Sequence, residues 1–172
     1  MDFDQVLQKE VPGAMPVPAW AGRSRSALGR MGFAPGAALA CVITCPDEIC
    51  DPFRHEMRRV WGHLFDGSAL AGVPVLGRDG FAAALGHAPE RDGRRRLVCV
   101  VMAHVAIDAA GNAGPVQRPG LAGPSSACGA LARLRSLLAA GEPPVHDPDN
   151  PGVGALWAAL EPALDTTTPP DL

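Results

Sequence analysis

The sequence predicts an α/β fold in which helices flank a largely parallel sheet. Two segments, residues 37–44 and 97–107, are apolar almost throughout and are as long as strands. Continuous apolar runs of this kind are typical of strands buried on both faces, as in a parallel sheet that helices cover. Between them, residues 52–64 carry apolar side chains at helical spacing. This alternation of strand and helix indicates the α/β class.

The helix predicted over residues 52–64 has a defined start and a single apolar face. Asp51 followed by Pro52 matches an N-cap residue and a proline at the first helical position. The apolar face consists of Phe53, Met57, Val60, Trp61 and Leu64. Residues 45–51, with the sequence CPDEICD, therefore form the loop between the first strand and this helix.

Weaker patterns predict the remaining elements. In chain order they are a short helix after Ser24 or Ser26, a helix over residues 80–85, a turn at residues 108–111, a return strand at residues 115–118, a helix capped by Ser125 or Ser126 and stopped by Gly141, and a last helical stretch at residues 154–160.

The chain of 172 residues has the length of one domain. Residues 1–22 contain three prolines and are predicted to be an N-terminal arm. Residues 23–165 are predicted to form a single folded domain, and residues 166–172 a flexible tail.

Charge and hydropathy exclude two kinds of partner. The formal net charge of −3 is too small for a nucleic-acid-binding or membrane-binding surface. No apolar stretch approaches the roughly 20 residues that span a bilayer. The first residues, MDFDQVLQKE, are acidic and lack the apolar core of a secretory signal. We therefore expect a soluble, cytoplasmic protein that binds neither nucleic acid nor membrane.

The five cysteines are the main candidates for chemistry. An odd number without a secretory signal argues against a disulfide framework. Cys41 and Cys99 lie inside the apolar strands and are expected to be inert core thiols, and Cys50 is a spare thiol near the loop. Cys45 and Cys128 remain, the first at the end of a strand and the second in the first turn of a helix.

Cys45, His104 and Cys128 are candidate zinc ligands. Cys45 and His104 follow or end the two long strands, and ligands of open α/β sheets bind beyond the carboxyl ends of strands. The partial positive charge of a helix N-terminus should favour the thiolate of Cys128. Two sulfurs and one imidazole would leave the fourth tetrahedral position of zinc open for catalysis. Separations of 59 and 24 residues enforce no local motif, so the residues alone favour inert core thiols over a metal site and leave a nucleophile open.

Five stretches of the chain resemble the limiting-CO2-inducible protein B/C family. They are CPDEIC (45–50), VWGHLF (60–65), LGRDGFAAALGHAP (76–89), AHVAIDAAGNAG (103–114) and RPGLAGPSSACGAL (118–131). The resemblance implies a β-carbonic-anhydrase-like sheet, a homodimer, and zinc held by Cys45, His104 and Cys128. It further implies a carbonic anhydrase that interconverts carbon dioxide and bicarbonate through attack by a zinc-bound hydroxide.

Asp47 is the acidic residue that this resemblance implicates in catalysis. Other β-carbonic anhydrases have Cys-x-Asp-x-Arg, whereas the fifth position here is Ile49. The arginine that holds Asp47 must therefore come from elsewhere. Arg78 is the first candidate and Arg54 the second. Asp47 would accept a hydrogen bond from the hydroxide, or would itself fill the fourth zinc position. His87 and His63 are candidate proton shuttles.

Two other functions fit the same residues. A cysteine-nucleophile hydrolase would use Cys45 or Cys128 activated by His104, and it would need no metal. A catalytically silent family member would bind zinc and serve a structural or regulatory role.

Overall fold

The computed structural model describes residues 2–108, 110–142, 144 and 151–161. Its α-helices are α1 (Phe3–Glu10), α2 (Val17–Arg30), α3 (Asp51–Trp61), α4 (Gly77–His87), α5 (Gly129–Ala140) and α6 (Pro151–Leu160). Its strands are β1 (Leu39–Ile43), β2 (Leu64–Asp66), β3 (Glu90–Arg91), β4 (Arg94–Arg95), β5 (Leu97–Val101), β6 (Pro115–Val116) and β7 (Ser125–Ser126). Short 3-10 turns cover Glu48–Cys50 and Leu70–Gly72.

The main sheet has three parallel strands in the order β2–β1–β5. In its register, Cys41 of β1 lies opposite Phe65 of β2 and Cys99 of β5. The central strand is buried from Ala40 to Ile43, as its continuous apolar sequence predicts. Helices flank this sheet, so the predicted α/β fold is confirmed. Two antiparallel hairpins, β3–β4 and β6–β7, complete the strands that the structure describes.

The second long apolar run forms less strand than its sequence predicts. Strand β5 ends at Val101 instead of residue 107, and the chain then leaves the sheet. β5 is an edge strand in the part of the chain that the structure describes, so Cys99 and Val101 are exposed. The prediction that this segment is buried on both faces is therefore wrong, because an apolar sequence does not distinguish a central strand from an edge strand.

Helix α3 begins one residue before the predicted start, with Cys50 instead of Asp51 as its N-cap residue, and it ends earlier than predicted. Gly62, with φ of +77°, closes it after Trp61, and the amide of Gly62 donates to the carbonyl of Arg58. Leu64 consequently belongs to β2. The apolar face of α3 packs against Ala40 and Val42 of the central strand.

The N-terminal segment is helical and packs against the core. Helix α2 begins at Val17, before the predicted start at Ser24 or Ser26, because Pro18 favours the first helical turn. The helix continues through the predicted boundary at residue 22. The ring of Trp20 packs 5.4 Å from that of Phe53, which fastens α2 to α3.

The remaining differences concern lengths and caps. Helix α4 extends beyond the predicted residues 80–85 at both ends. Ser125 and Ser126 form β7 instead of capping α5, because they pair with β6 and the helix starts three residues later. The predicted tail at residues 166–172 lies outside the described residues. Among the described helices, none is both long and apolar enough to cross a bilayer.

Gly72 lets two backbone segments approach closely. It has φ of +73°, and a Cβ built on it would lie 2.1 Å from the carbonyl oxygen of Met102. Met102 follows β5, and its amide donates to the carbonyl of Ile43 at 2.9 Å. A side chain at residue 72 would therefore push the segment that leads to His104.

We predict that Gly72→Ala destabilises the protein far more than Gly36→Ala. Gly36 also has a positive φ, +78°, but a Cβ there meets nothing within 4 Å. The left-handed conformation alone should cost Gly36→Ala about 1 kcal/mol. The overlap with Met102 should raise the loss in Gly72→Ala to about 3 kcal/mol. Urea denaturation of both variants measures these free energies, and equal losses would contradict the close approach.

Candidate metal centre

Cys45, His104 and Cys128 come together in the structure. One ligand atom of each lies within 4.8 Å of the others. Cys45 follows β1 by two residues, and His104 follows β5 by three, at the carboxyl edge of the parallel sheet. Cys128 immediately precedes α5. Three segments that are distant in the sequence thus meet at one place: the loop after β1, the segment after β5 and the start of α5.

His104 gives the clearest indication that this group of residues binds a further partner. Both of its ring nitrogens are buried, and neither has a hydrogen-bond partner among the described residues. Buried polar atoms are nearly always paired, so two unpaired nitrogens on one ring call for another partner. Burial, together with the positive charge of Arg118, lowers the pKa of His104 despite the opposing carboxylate of Asp47. The imidazole is therefore neutral near pH 7, which is the form that binds a metal.

The donor set fits zinc. Two thiols and one imidazole are soft and borderline donors of the kind that zinc prefers. Donor atoms of a tetrahedral zinc site lie roughly 3.4–3.8 Å apart, given its bond lengths. The three atoms here lie within 4.8 Å of one another, an upper bound that is compatible with those separations. Cys45 and Cys128 are only 3% and 6% exposed, so both cysteines are buried. The site fits the ion in the number and type of its donors.

The expected thiolate of Cys128 is not favoured by the protein alone. Burial raises the pKa of the Cys128 thiol, and the neighbouring Cys45 adds to the rise. The backbone amides of Leu131 and Ala130 at the start of α5 lower it, but less strongly. The helix N-terminus acts in the predicted direction and is outweighed by desolvation.

Asp47 pairs with Arg118, and not with Arg78 as the sequence suggested. Nη2 of Arg118 donates to both carboxylate oxygens, Oδ1 at 3.0 Å and Oδ2 at 2.8 Å. Burial disfavours the charge on Asp47, but the amide of Ile49 and the Arg118 guanidinium together hold its pKa below the usual value. Arg78 lies exposed on α4 and forms no salt bridge with any described residue, because its helix carries it out to the surface.

Arg54, the second candidate, binds the backbone of the same loop. Its guanidinium donates to the carbonyl of Cys45 at 2.6 Å and to that of Asp47 at 3.3 Å. It also forms a salt bridge with Asp51 on the first turn of α3. Arg54 therefore fixes the path of the loop that carries Cys45, and does not touch the carboxylate of Asp47.

Arg118 joins this loop to the segment before α5. Beyond Asp47, it forms a salt bridge with Glu48 and donates to the hydroxyl of Ser125, to the carbonyl of Ser126 at 2.8 Å and to that of Ala127 at 3.3 Å. Sequence reasoning placed it only at the end of a return strand. The one available signal was its position as the first residue of the 118–131 stretch.

The other candidate residues lie outside the ligand group. His63 and His87 are both exposed, and the His87 ring packs edge-on at 5.8 Å from Phe65. Cys50 is buried in the same apolar cluster as Cys45 and Cys128. Burial and then the Cys45 thiol raise the pKa of Cys50 to about 11, which keeps it protonated.

Comparisons with known proteins agree with this arrangement. The structure is similar to the crystal structure of PtLCIB4, a homolog of the limiting CO2-inducible protein LCIB, with 27% identity and a TM-score of 0.80 over 97% of this chain and 69% of that one. It also shares the fold of LCIB itself, with 24% identity and a TM-score of 0.71 over 98% of this chain and 70% of LCIB. No protein of curated function matches the chain significantly.

The family comparison covers most of the chain. Residues 14–166 match the family described as limiting CO2-inducible proteins B/C beta carbonic anhydrases. This span contains the three clustered metal-ligand candidates together with Asp47 and Arg118. The chain therefore belongs to the limiting-CO2-inducible protein B/C family of β-carbonic anhydrases.

Proposed function

We propose that the chain is a zinc-dependent carbonic anhydrase that interconverts carbon dioxide and bicarbonate. The observation that carries this proposal is the unpaired imidazole of His104 beside the sulfurs of Cys45 and Cys128. The family to which the chain belongs supplies the reaction class. The homodimer implied by the resemblance remains a prediction.

Zinc bound by these three residues would supply a Lewis acid that lowers the pKa of water from about 15.7 toward 7. The chain's own contribution begins with three donors, which would leave one tetrahedral position free. Asp47 does not belong to the group of clustered ligand atoms, and its carboxylate is bound by Arg118 and the amide of Ile49. These contacts support a catalytic role for Asp47 over the alternative in which it closes the site.

The carboxylate of Asp47 is suited to accept a hydrogen bond from a group bound at the metal position. Its low pKa keeps it ionised. Oδ1 accepts from both the Ile49 amide and Arg118, whereas Oδ2 accepts from Arg118 alone and retains a lone pair. Arg118 and the amide of Ile49 fix the plane of the carboxylate, so that the free lone pair of Oδ2 keeps a constant direction. Carbon dioxide is small and apolar and offers few groups for a protein to bind. The protein can instead assist the reaction with a fixed acceptor that orients the nucleophile. His63 and His87 remain candidates for carrying the proton to solvent.

We predict that zinc binding depends on all three clustered residues. Wild-type protein should hold about one zinc per chain, whereas Cys128→Ser and His104→Ala should hold far less, since each variant removes one of only three donors. Cys99→Ser is the matched control, because Cys99 is exposed and lies outside the ligand group. Inductively coupled plasma mass spectrometry on purified protein measures the ratio. If wild-type protein purified in the presence of zinc contains no zinc, the metal site is refuted and a metal-free cysteine nucleophile becomes the better explanation.

We predict that Asp47→Asn retains zinc but loses catalysis. The amide cannot reproduce an ionised acceptor held by Arg118, so kcat for carbon dioxide hydration should fall by about 100-fold or more. Glu48→Gln is the control, since Glu48 also pairs with Arg118 but is exposed. Stopped-flow hydration with a pH indicator gives the rates. Zinc-loaded wild-type protein without turnover at any pH would identify a silent family member and refute the proposal.

We predict that Arg118→Lys lowers kcat by about 10-fold and leaves the zinc content unchanged. Lysine keeps the charge but cannot bind both oxygens of Asp47 and the neighbouring carbonyls with one planar group. Arg78→Lys should have the wild-type rate, because Arg78 is exposed on α4. Equal losses in both variants would contradict the positioning role of Arg118.

A further inference from the structure

Cys41 and Cys99 face each other across two neighbouring strands. They are register partners in the parallel pair of β1 and β5, so their side chains project from the same face of the sheet. Neighbouring strands lie about 4.8 Å apart, and a disulfide spans Cα separations of about 4.4–6.8 Å. Burial, and then the neighbouring Cys99, raise the pKa of Cys41 to about 11.

The two thiols differ sharply in their access to solvent. Cys41 is fully buried, in a cluster with Ile43 and Ala84. Cys99 is exposed on the edge strand, and it is the one exposed cysteine of the five. An oxidant in solution therefore reaches Cys99 first, and the thiol of Cys41 is its neighbour on the adjacent strand. The sequence alone assigns both residues to the core and shows neither the pairing nor the exposure.

We propose that Cys41 and Cys99 form an oxidation site. Cys99 reacts with a peroxide there, and the oxidised Cys99 then forms a disulfide with Cys41. In the first step the Cys99 sulfur attacks one peroxide oxygen, an S–O bond forms, the O–O bond breaks and water leaves. In the second step the Cys41 sulfur attacks the Cys99 sulfur, the S–S bond forms, and the S–O bond breaks. The oxygen leaves as water with the proton of Cys41. Two thiols lose two electrons, and one peroxide is reduced to two waters.

The reverse reaction should be slow. A dithiol reductant can reach only the sulfur of Cys99, so Cys41 must be the leaving group. Thiols of high pKa leave slowly, and the pKa of Cys41 is raised to about 11. Once formed, the bond would persist and join β1 to β5, the strands that lead to Cys45 and His104. This inference does not depend on the proposed carbonic anhydrase activity.

The test is a disulfide map of the zinc-loaded wild-type chain after hydrogen peroxide treatment. Free thiols are alkylated in denaturant, and the protein is digested without reduction by a protease that cleaves before aspartate. Cys99 then lies in the peptide of residues 92–107, and Cys41 shares residues 4–46 with Cys45. We expect these two peptides to be linked, and fragmentation between Cys41 and Cys45 to assign the bond to Cys41.

Matched variants separate the pair from other thiols. Cys99→Ser should abolish the linked peptides, whereas Cys50→Ser, which removes a buried thiol at the metal centre, should leave them. In wild-type protein, Cys99 recovered as sulfinic or sulfonic acid with Cys41 alkylated would overturn the proposal, as would a bond from Cys99 to Cys45. The wild-type map decides the question even if a Cys41→Ala variant fails to fold.

Discussion

The parallel register of β1 with β5 is the constraint on which the metal centre depends. Ile43 lies opposite Val101, and the amide of Met102 donates to the carbonyl of Ile43. The two strands therefore end at the same edge of the sheet, and a metal-ligand candidate follows each of them within three residues. A register slip of one residue would turn every side chain of β5 to the other face of the sheet. Such a slip would bring Ala103 or Val105, depending on its direction, toward Cys45 in place of His104.

The guanidinium of Arg118 supplies the second constraint. It is only 18% exposed and binds the Asp47 carboxylate on one side and the carbonyls of Ser126 and Ala127 on the other. The loop after β1 and the segment that carries Cys128 into α5 are thus joined through one cation. Because the carboxylate and the third metal-ligand candidate share this support, the acid and the metal position are held at a fixed distance from each other.

Sequence reasoning succeeded where the information is local and failed where it is not. The strand β1, the start of α3 and the fold class follow from runs and periodicities within a few residues. The grouping of Cys45, His104 and Cys128 followed from the family resemblance, since their spacing fixes nothing. The partner of Asp47 lies 71 residues away in a short hairpin, and no pattern near either residue indicates it. Arg78 lies in the 76–89 stretch that resembles the family, but this resemblance does not indicate which way the side chains of α4 point.

The separation of the three ligand candidates has a consequence for how the protein folds. Cys45 and His104 are 59 residues apart, and His104 and Cys128 are 24 apart. Closing such long loops before any sheet exists is entropically unfavourable, and parallel pairing of distant strands is slow. A metal ion therefore cannot nucleate this chain as it nucleates a zinc finger, in which closely spaced ligands organise a small domain. The sheet and the β6–β7 hairpin must therefore form before these three residues could hold an ion together.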